Sequence, residues 1–565
     1  MNGTGACIAR KDKTVLLECG HPGFGAAGME LADYAELVKS LPAYHTYRIT
    51  PLSLWNAAAG GMTAEQIIAS LRRLARWGVP AGLEEEIGRL VTRYGRLTLH
   101  AGTADSRLVL LRADSPALLD ELAGLAGLDA LQLRRTGELE CACPAVSRGL
   151  LKQELTRLGY PVLDYAGYRE GQGLSLAWTG VGLEETGGNP GTFGLRPYQQ
   201  EAVRLFYGMG GSGVVVLPCG AGKTVVGLAV IEKLQCETLI LTSNTTSVEQ
   251  WREELLQRTS LQSGEIGEYT GERREVRPVT LATYQMLTHR RSKEEDFVHM
   301  SLFNERNWGL IIYDEVHLLP APVFRATADI QATRRLGLTA TLIREDGREG
   351  DVFSLIGPRC YELPWRSLEK QGWIAAVECV ELVVPMDSAL RSRYLYAGGK
   401  EQFRLAAGNP SKAEAAAGII AEHAGARVLV IGQYLDQLEA LAACLDAPLI
   451  TGKTPQRERN RLYEAFNEGA LNVLVVSKVA NFAVNLPDAS VAIEVSGAYG
   501  SRQEEAQRLG RILRPKQGEN RAYFYTLVTG DSREQEFALR RRLFLTEQGY
   551  EYAVRTAGPQ EEALL

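Results

Sequence analysis

Val214–Leu217 is a short apolar run that leads directly into Pro218-Cys219-Gly220-Ala221-Gly222-Lys223-Thr224, and a helical pattern continues from Lys223. No other stretch constrains the chain as much. A buried strand that turns through glycines into a helix leaves backbone N–H groups and a helix N-terminus facing one point, which suits an anion. Gly220 and Gly222 allow the backbone to bend tightly and come close to a phosphate. Lys223 is then the candidate contact for the outer phosphates, and the Thr224 hydroxyl the candidate magnesium ligand. Leu217 stands where the strict pattern has glycine, a minor departure.

A second carboxylate pair completes the chemistry. Asp314 and Glu315 end the apolar run Leu310–Tyr313, downstream of Lys223 in the order such a site requires. A strand here can lie beside the phosphate-loop strand, with Asp314 holding magnesium and Glu315 polarising an attacking water. ATP and Mg2+ are the expected cofactors, and the expected device is a nucleotide-driven motor.

The surrounding pattern alternates strands with helices. Gly213–Leu217, Thr238–Thr242, Val279–Thr283, Leu310–Tyr313 and Arg335–Leu338 read as strands, with helices over Lys223–Leu234 and Val248–Arg258. A second series runs through Arg427–Ile431, Leu449–Thr451, Val473–Val476, Val491–Val495 and Ala522–Leu527. Strand–helix alternation of this kind predicts parallel sheets, here two α/β domains in tandem. Upstream, Thr14–Glu18 reads as a strand, and Thr63 with Gln66 reads as a helix cap. Ile67, Leu71, Leu74 and Trp77 follow at helical spacing, and a second helix after Pro80 carries Leu83, Ile87, Leu90 and Val91 on one face. Strands around 96–100 and 107–112 then give either a winged-helix-like unit or a helical hairpin on a sheet. Residues 115–170 read as a small α/β unit, and the glycine-rich stretch 171–194 as a linker.

The formal charge of -6 in 565 residues is mild evidence against a nucleic-acid binder, because a local basic groove can coexist with acidic faces. No run reaches the length of a membrane span, and the first residues lack the apolar core of a signal peptide. Nine scattered cysteines, with Cys141 and Cys143 lacking a matching pair, predict packing thiols in a reducing compartment rather than zinc. The expected location is cytoplasmic, with no membrane partner.

Together these motifs resemble superfamily 2 helicases. Leu195-Arg196-Pro197-Tyr198-Gln199 resembles the adenine-reading element, which implies Gln199 as the base contact with Arg196 beside it. Thr339-Ala340-Thr341 resembles the motif that couples hydrolysis to DNA movement. Glu505–Arg514 resembles the last motif, which implies Gln507 at the nucleotide and Arg511 and Arg514 as arginine fingers. The DEVH form of the box at Asp314–His317, the Arg344-Glu345-Asp346 triplet and the run SRQEEAQRLGRILR resemble the XPB-type helicases, most closely their bacterial form. By composition alone the triplet is a solvated turn; the resemblance implies a strand-separating element and makes His317 a coupling residue. Ala483 and Asn485 stand where the family usually has a small polar group and an aspartate, which puts the coupling of ATP to DNA in question.

The resemblance implies an α/β fold with two tandem RecA-like P-loop domains after a winged-helix-like and a small α/β N-terminal region. The expected boundaries are 1–114 for the winged-helix-like region, 115–185 for the damage-recognition-like unit and linker, 186–365 and 366–550 for the two RecA-like domains, and 551–565 for a tail. A thumb-like insertion is expected near 380–412, where Ala389–Arg404 mixes aromatic and basic residues; an ordinary amphipathic helix pair is the alternative. The implied activity is an ATP-dependent DNA helicase of 3'-5' polarity in DNA repair, acting on single-stranded, forked or damaged DNA, with a nuclease as a partner. The alternative is a double-stranded DNA translocase or damage-binding scaffold that needs a partner to open DNA. Thr283, Thr242 and Ser243 read as phosphate contacts or as satisfied strand ends.

Overall fold

The computed structural model describes residues 5–41, 43–102, 105, 107–125, 127–179, 194–218, 220–290, 297–331, 333–342, 344, 347–477, 489–497, 520–548, 550 and 552–557. The chain divides into two compact units. One comprises Met1–Glu36, Ala43–Leu217 and Gly222–Leu363, and the other Leu37–Pro42, Pro218–Ala221 and Pro364–Leu565.

The first unit opens with antiparallel strands Cys7–Ala9, Thr14–Glu18 and Tyr44–Arg48. Helix Ala64–Leu74 begins as its sequence predicts: Thr63 Oγ1 accepts from the Gln66 N–H at 3.3 Å, and Gln66 Oε1 accepts from the Thr63 N–H at 2.9 Å. Its face buries Ile67, Leu71 and Leu74, each worth about 1.5–3 kcal/mol on leaving water. Trp77 does not join that face. The backbone turns extended at Ala75, so Trp77 lies past the helix and is 72% exposed. Helix Ala81–Arg93 buries Leu83, Ile87, Leu90 and Val91, as its spacing requires.

The expected wing is not a wing. Strands Leu97–Ala101 and Leu108–Ala113 pair antiparallel with each other, then with Val162–Tyr165 on one side and Glu140–Pro144 on the other. They are central strands of the small α/β sheet, so a boundary at 114 cuts through a hydrogen-bonded ladder. Period-two alternation predicts the strands but carries no record of their partners.

This sheet is keyed to the parallel domain of the same unit. Lys152, on helix Arg148–Arg157, donates to Asp164 Oδ2 at 3.0 Å and to Gln331 Oε1 at 2.8 Å. Arg148 donates from Nε and Nη2 to the same Asp164 carboxylate. Burial pulls the Lys152 ammonium down to about 8 despite Asp164 beside it.

Among the described residues the parallel sheet has seven strands. From edge to edge they are Ile266–Tyr269, Val279–Thr283, Thr238–Thr242, Leu310–Asp314, Arg334–Thr339, Ser212–Val216 and Arg359–Glu362. Every pairing is parallel. The phosphate-loop strand and the Asp314 strand therefore flank Arg334–Thr339 on opposite sides, rather than touching.

The second unit repeats the theme. Among the described residues Leu449–Ile450, Val473–Ser477, Val428–Gly432, Val491–Glu494, Arg521–Thr529, Ala376–Val384 and Tyr552–Thr556 form another parallel seven-stranded sheet. Tyr552–Thr556 lies in the stretch expected to be a tail, yet it pairs with Ala376–Val384 along five residues. Helices Ser388–Tyr396 and Gly399–Ala407 lie within 380–412, and Tyr396 is 94% exposed.

Candidate active site

Strand Ser212–Val216 is buried at every position, which fixes where the loop after it begins. Gly220 and Gly222 both take φ of +78, a region open to glycine at little cost. Helix Lys223–Leu234 starts directly after Gly222, with its N-terminal N–H groups at the loop. A Cβ on Gly222 would stand 2.5 Å from Gln199 Nε2. The glycine is therefore also what lets Gln199 pack against the loop.

Gln199 is buried, on the first turn of helix Pro197–Gly208. Its Oε1 accepts from the Arg196 N–H at 3.0 Å, so the side chain caps its own helix. Arg196 Nη1 donates to the Tyr198 hydroxyl at 3.2 Å.

Asp314 ends its strand and Glu315 follows in the left-handed region, φ 50 and ψ 54. A non-glycine residue there stores on the order of 1–3 kcal/mol of strain, a pattern that concentrates at functional sites. The turn aims Glu315 back at the loop helix: Lys223 Nζ is 3.6 Å from Glu315 Oε1. Trp251 Nε1 donates to Asp314 Oδ2 at 2.9 Å, and the Tyr284 hydroxyl donates to the Asp314 carbonyl at 2.9 Å. Neither partner was foreseen, because Trp251 lies on a neighbouring helix and Tyr284 on another strand end, far from Asp314 in sequence.

The two carboxyls are pushed apart. Burial first, then the Glu315 charge, raises the Asp314 carboxyl to about 6. Burial also acts against the Glu315 carboxylate, but Lys223 and then His317 outweigh it and hold Glu315 below the usual range. Lys223 faces the buried Asp314 and Glu315 carboxylates, and the pair has room for further positive charge. Among the described residues no three His, Cys, Asp or Glu side chains gather to hold a metal. Mg2+, which keeps waters and phosphate oxygens as ligands, would need few protein groups here, and Asp314 and Thr224 are the candidates.

His317 is buried, and its Nδ1 lies 2.7 Å from Thr339 Oγ1 and 3.4 Å from Glu315 Oε2. The Thr339 hydroxyl donates to the Thr341 carbonyl at 2.6 Å and accepts from the Thr341 N–H at 3.2 Å. With its one proton committed there, Thr339 can only accept from His317, so Nδ1 carries a proton. Thr339 and Thr341 are thereby joined to the Asp314–His317 turn.

Arg344 is buried under that turn. Its Nη1 donates to the His317 carbonyl at 2.5 Å and its Nη2 to the Leu319 carbonyl at 3.1 Å, while its guanidinium lies 5.0 Å from the Phe324 ring centroid. In this conformation it braces the turn from within the protein. Thr283 caps the helix Tyr284–Leu287 by accepting from the Met286 N–H at 3.2 Å, and Thr242 donates to the Asn244 carbonyl at 3.1 Å. Ser243 Oγ accepts from Asn244 Nδ2 at 3.1 Å. Cys219, Glu345, Asp346, Ala483, Asn485, Gln507, Arg511 and Arg514 lie outside the described residues.

Three family models match the chain: "Helicase conserved C-terminal domain" over residues 7–137, "Type III restriction enzyme, res subunit" over 192–344, and "ERCC3/RAD25/XPB C-terminal helicase" over 368–563. A DNA 3'-5' helicase XPB of Kineococcus radiotolerans is 51% identical, over 97% of this chain and 96% of that protein. Its namesake in Mycobacterium tuberculosis is 50% identical, over 98% of each. The general transcription and DNA repair factor IIH helicase/translocase subunit XPB/SSL2 of Saccharomyces cerevisiae is 32% identical, over 97% of this chain and 72% of that protein. Near-full-length identity at this level shows kinship across both parallel sheets and the N-terminal region, and the chain belongs to the XPB family of DNA helicases.

Proposed function

We propose that the chain is an ATP-dependent DNA helicase that moves 3' to 5' and serves DNA repair. The observation that carries this reading is the ion pair between Lys223 and Glu315, 3.6 Å apart, in a chain half identical to two DNA 3'-5' helicases. In this reading Lys223, Pro218, Cys219, Gly220, Ala221 and Gly222 cradle the phosphates. Thr224 and Asp314 hold Mg2+, and Glu315 polarises the water that attacks the γ-phosphorus. Gln199 and Arg196 serve the base, which requires Gln199 to exchange its capping bond for the adenine edge. Gln507 contacts the nucleotide, and Arg511 and Arg514 offset the charge that develops on the γ-phosphate.

Loss of the γ-phosphate is felt at Glu315. His317, Thr339 and Thr341 pass the change toward DNA, with Arg344, Glu345 and Asp346 as the strand-separating element. Phosphate contacts, with Thr283 among them, make the grip sequence-independent. Helices Ser388–Tyr396 and Gly399–Ala407 act as a thumb, with Tyr396 offered to a base. A nuclease partner and a nucleoid location fit this reading. Among the described residues no helix is long and apolar enough to cross a membrane.

The test is ATPase activity across single-stranded, forked and duplex DNA and RNA, followed by strand-displacement polarity. Stimulation by DNA that disappears in Lys223→Ala and Glu315→Gln is expected. A Lys223→Ala protein hydrolysing ATP at the wild-type rate would sink the reading. A second reading, a duplex translocase that opens DNA only with a partner, is favoured by the word translocase in the yeast relative's name. Duplex tracking without strand displacement would select it.

A further inference from the structure

Trp251 is 1% exposed, yet its indole N–H is committed to the site rather than to the core around it. A buried indole needs an acceptor, and a nearby backbone carbonyl is enough. Trp55 donates to the Leu90 carbonyl at 3.1 Å, and Trp308 to the Leu302 carbonyl at 3.0 Å. Trp251 Nε1 instead reaches Asp314 Oδ2 at 2.9 Å. The other carboxylate oxygen, Oδ1, accepts from the Glu315 N–H at 3.1 Å. One donor on each oxygen fixes the plane of the carboxylate and leaves lone pairs on both for a cation.

The far edge of the same indole lies against the helix that carries Thr224. A Cβ on Gly227 would stand 2.5 Å from Trp251 Cη2, so the ring sits directly on helix Lys223–Leu234. Gly227 follows Thr224 by three residues, one turn along the same face. Glycine is a poor helix former, and this one is inside the helix, so what it provides is the close approach of the ring. The strand that leads to the phosphate loop and the strand that ends at Asp314 are separated by Arg334–Thr339. No direct ladder therefore fixes one strand end against the other. The indole spans that gap, with one edge on the Thr224 helix and its N–H on the Asp314 carboxylate. All of these residues lie in the first unit.

We propose that Trp251 is a positioning residue for ATP hydrolysis, its indole holding the Asp314 carboxylate at a fixed offset from the first turn of the Thr224 helix so that both serve one Mg2+ ion. The proposal rests on the reading of Asp314 and Thr224 as the Mg2+ ligands. Donors that orient a metal-binding carboxylate are worth about 10–100-fold in metal affinity. Trp251 acts through Asp314, so its loss weakens the Mg2+-dependent part of nucleotide binding and spares the rest.

The experiment uses the full-length chain and a fluorescent, non-hydrolysable ATP analogue, titrated with Mg2+ and with EDTA. The ratio of the two affinities reads the ion's contribution without turnover. Trp251→Phe keeps an apolar ring but drops the N–H and the ring edge on Gly227. It is expected to bind within about twofold of wild type in EDTA and to lose about tenfold of the gain conferred by Mg2+, with the Mg2+ concentration for half-maximal ATPase rising by a similar factor. Gly227→Ala keeps the indole and its N–H but forces ring and helix apart, and is expected to show the same selective loss. It carries the test if Trp251→Phe does not fold. A loss equal in EDTA and in Mg2+, or an unchanged Mg2+ gain in either folded variant, overturns the positioning role alone when Asp314→Asn does lose that gain. An Asp314→Asn protein that keeps the full Mg2+ gain overturns the metal reading of Asp314 and this proposal with it.

Discussion

His317 donates its Nδ1 proton to Thr339 Oγ1 across 2.7 Å, joining the turn after Asp314 to the end of the neighbouring strand. Thr339 cannot reciprocate, because its own proton is given to the Thr341 carbonyl. The hydroxyl is thus a two-way junction that a methyl cannot replace. Thr339→Val should leave basal ATPase within a few-fold of wild type and cut DNA stimulation, whereas Thr339→Ser should keep both. ATPase assays with and without DNA check this, and full stimulation in Thr339→Val would remove the junction from the coupling path.

Gly222 meets two demands at once. Its φ of +78 disfavours any side chain, and the space a Cβ would take is occupied by Gln199 Nε2 at 2.5 Å. Gly222→Ala should therefore weaken nucleotide binding by about tenfold, the scale of 1–2 kcal/mol of strain. Adding Gln199→Ala relieves the overlap but not the dihedral, and it also removes the proposed base contact, so recovery should be partial at most. Fluorescent-nucleotide titration distinguishes partial recovery from the complete recovery that would leave the clash as the sole cause.

Asp164 is the shared anion of two buried cations, with Arg148 and Lys152 each in contact with it. Removing the anion leaves both cations unpaired. Removing Lys152 leaves Asp164 still held by Arg148. Asp164→Ala should cost about 3–5 kcal/mol, and Lys152→Met less. Urea unfolding of the first unit measures both, and equal losses would refute the argument. The Lys152–Gln331 bond also means that deleting 115–170 exposes surface built to be buried, so such a deletion should aggregate rather than yield a free-standing motor.

Much of this was legible because local chemistry fixes it. The helix Lys223–Leu234, the strands Thr238–Thr242 and Val279–Thr283, and the Thr63 cap fall where their residues require. Pairing was not legible. Leu97–Ala101 and Leu108–Ala113 alternate as a wing would, and only long-range hydrogen bonds assign them to a larger sheet. Ala376–Val384 escaped notice because Glu378 and Glu381 interrupt its apolar run; Glu381 is buried, 3.3 Å from Arg542. Arg344 shows the same limit at the site. Three adjacent charges suggest a solvated turn, yet the first of them folds inward onto carbonyls that no local pattern announces.

Asp314 is kept at a disadvantage by the fold. Burial and the Glu315 charge raise its carboxyl from 3.8 to about 6. A folded-state value above the unfolded one means that the native unit binds the extra proton between those limits. The stability this proton confers is fully present below about pH 4 and is lost as pH rises through about 6. At neutral pH the ionised Asp314 therefore destabilises the unit in the absence of nucleotide and metal. Asp314→Asn keeps an acceptor for the Trp251 indole while removing the charge. It should melt several degrees higher than wild type at pH 7, with the difference closing toward pH 4, and should hydrolyse ATP at a small fraction of the wild-type rate. Added Mg2+ and ATP should narrow the gap at pH 7, because only the wild type gains the bound cation. A melting difference independent of pH would show that the raised carboxyl is not the cause.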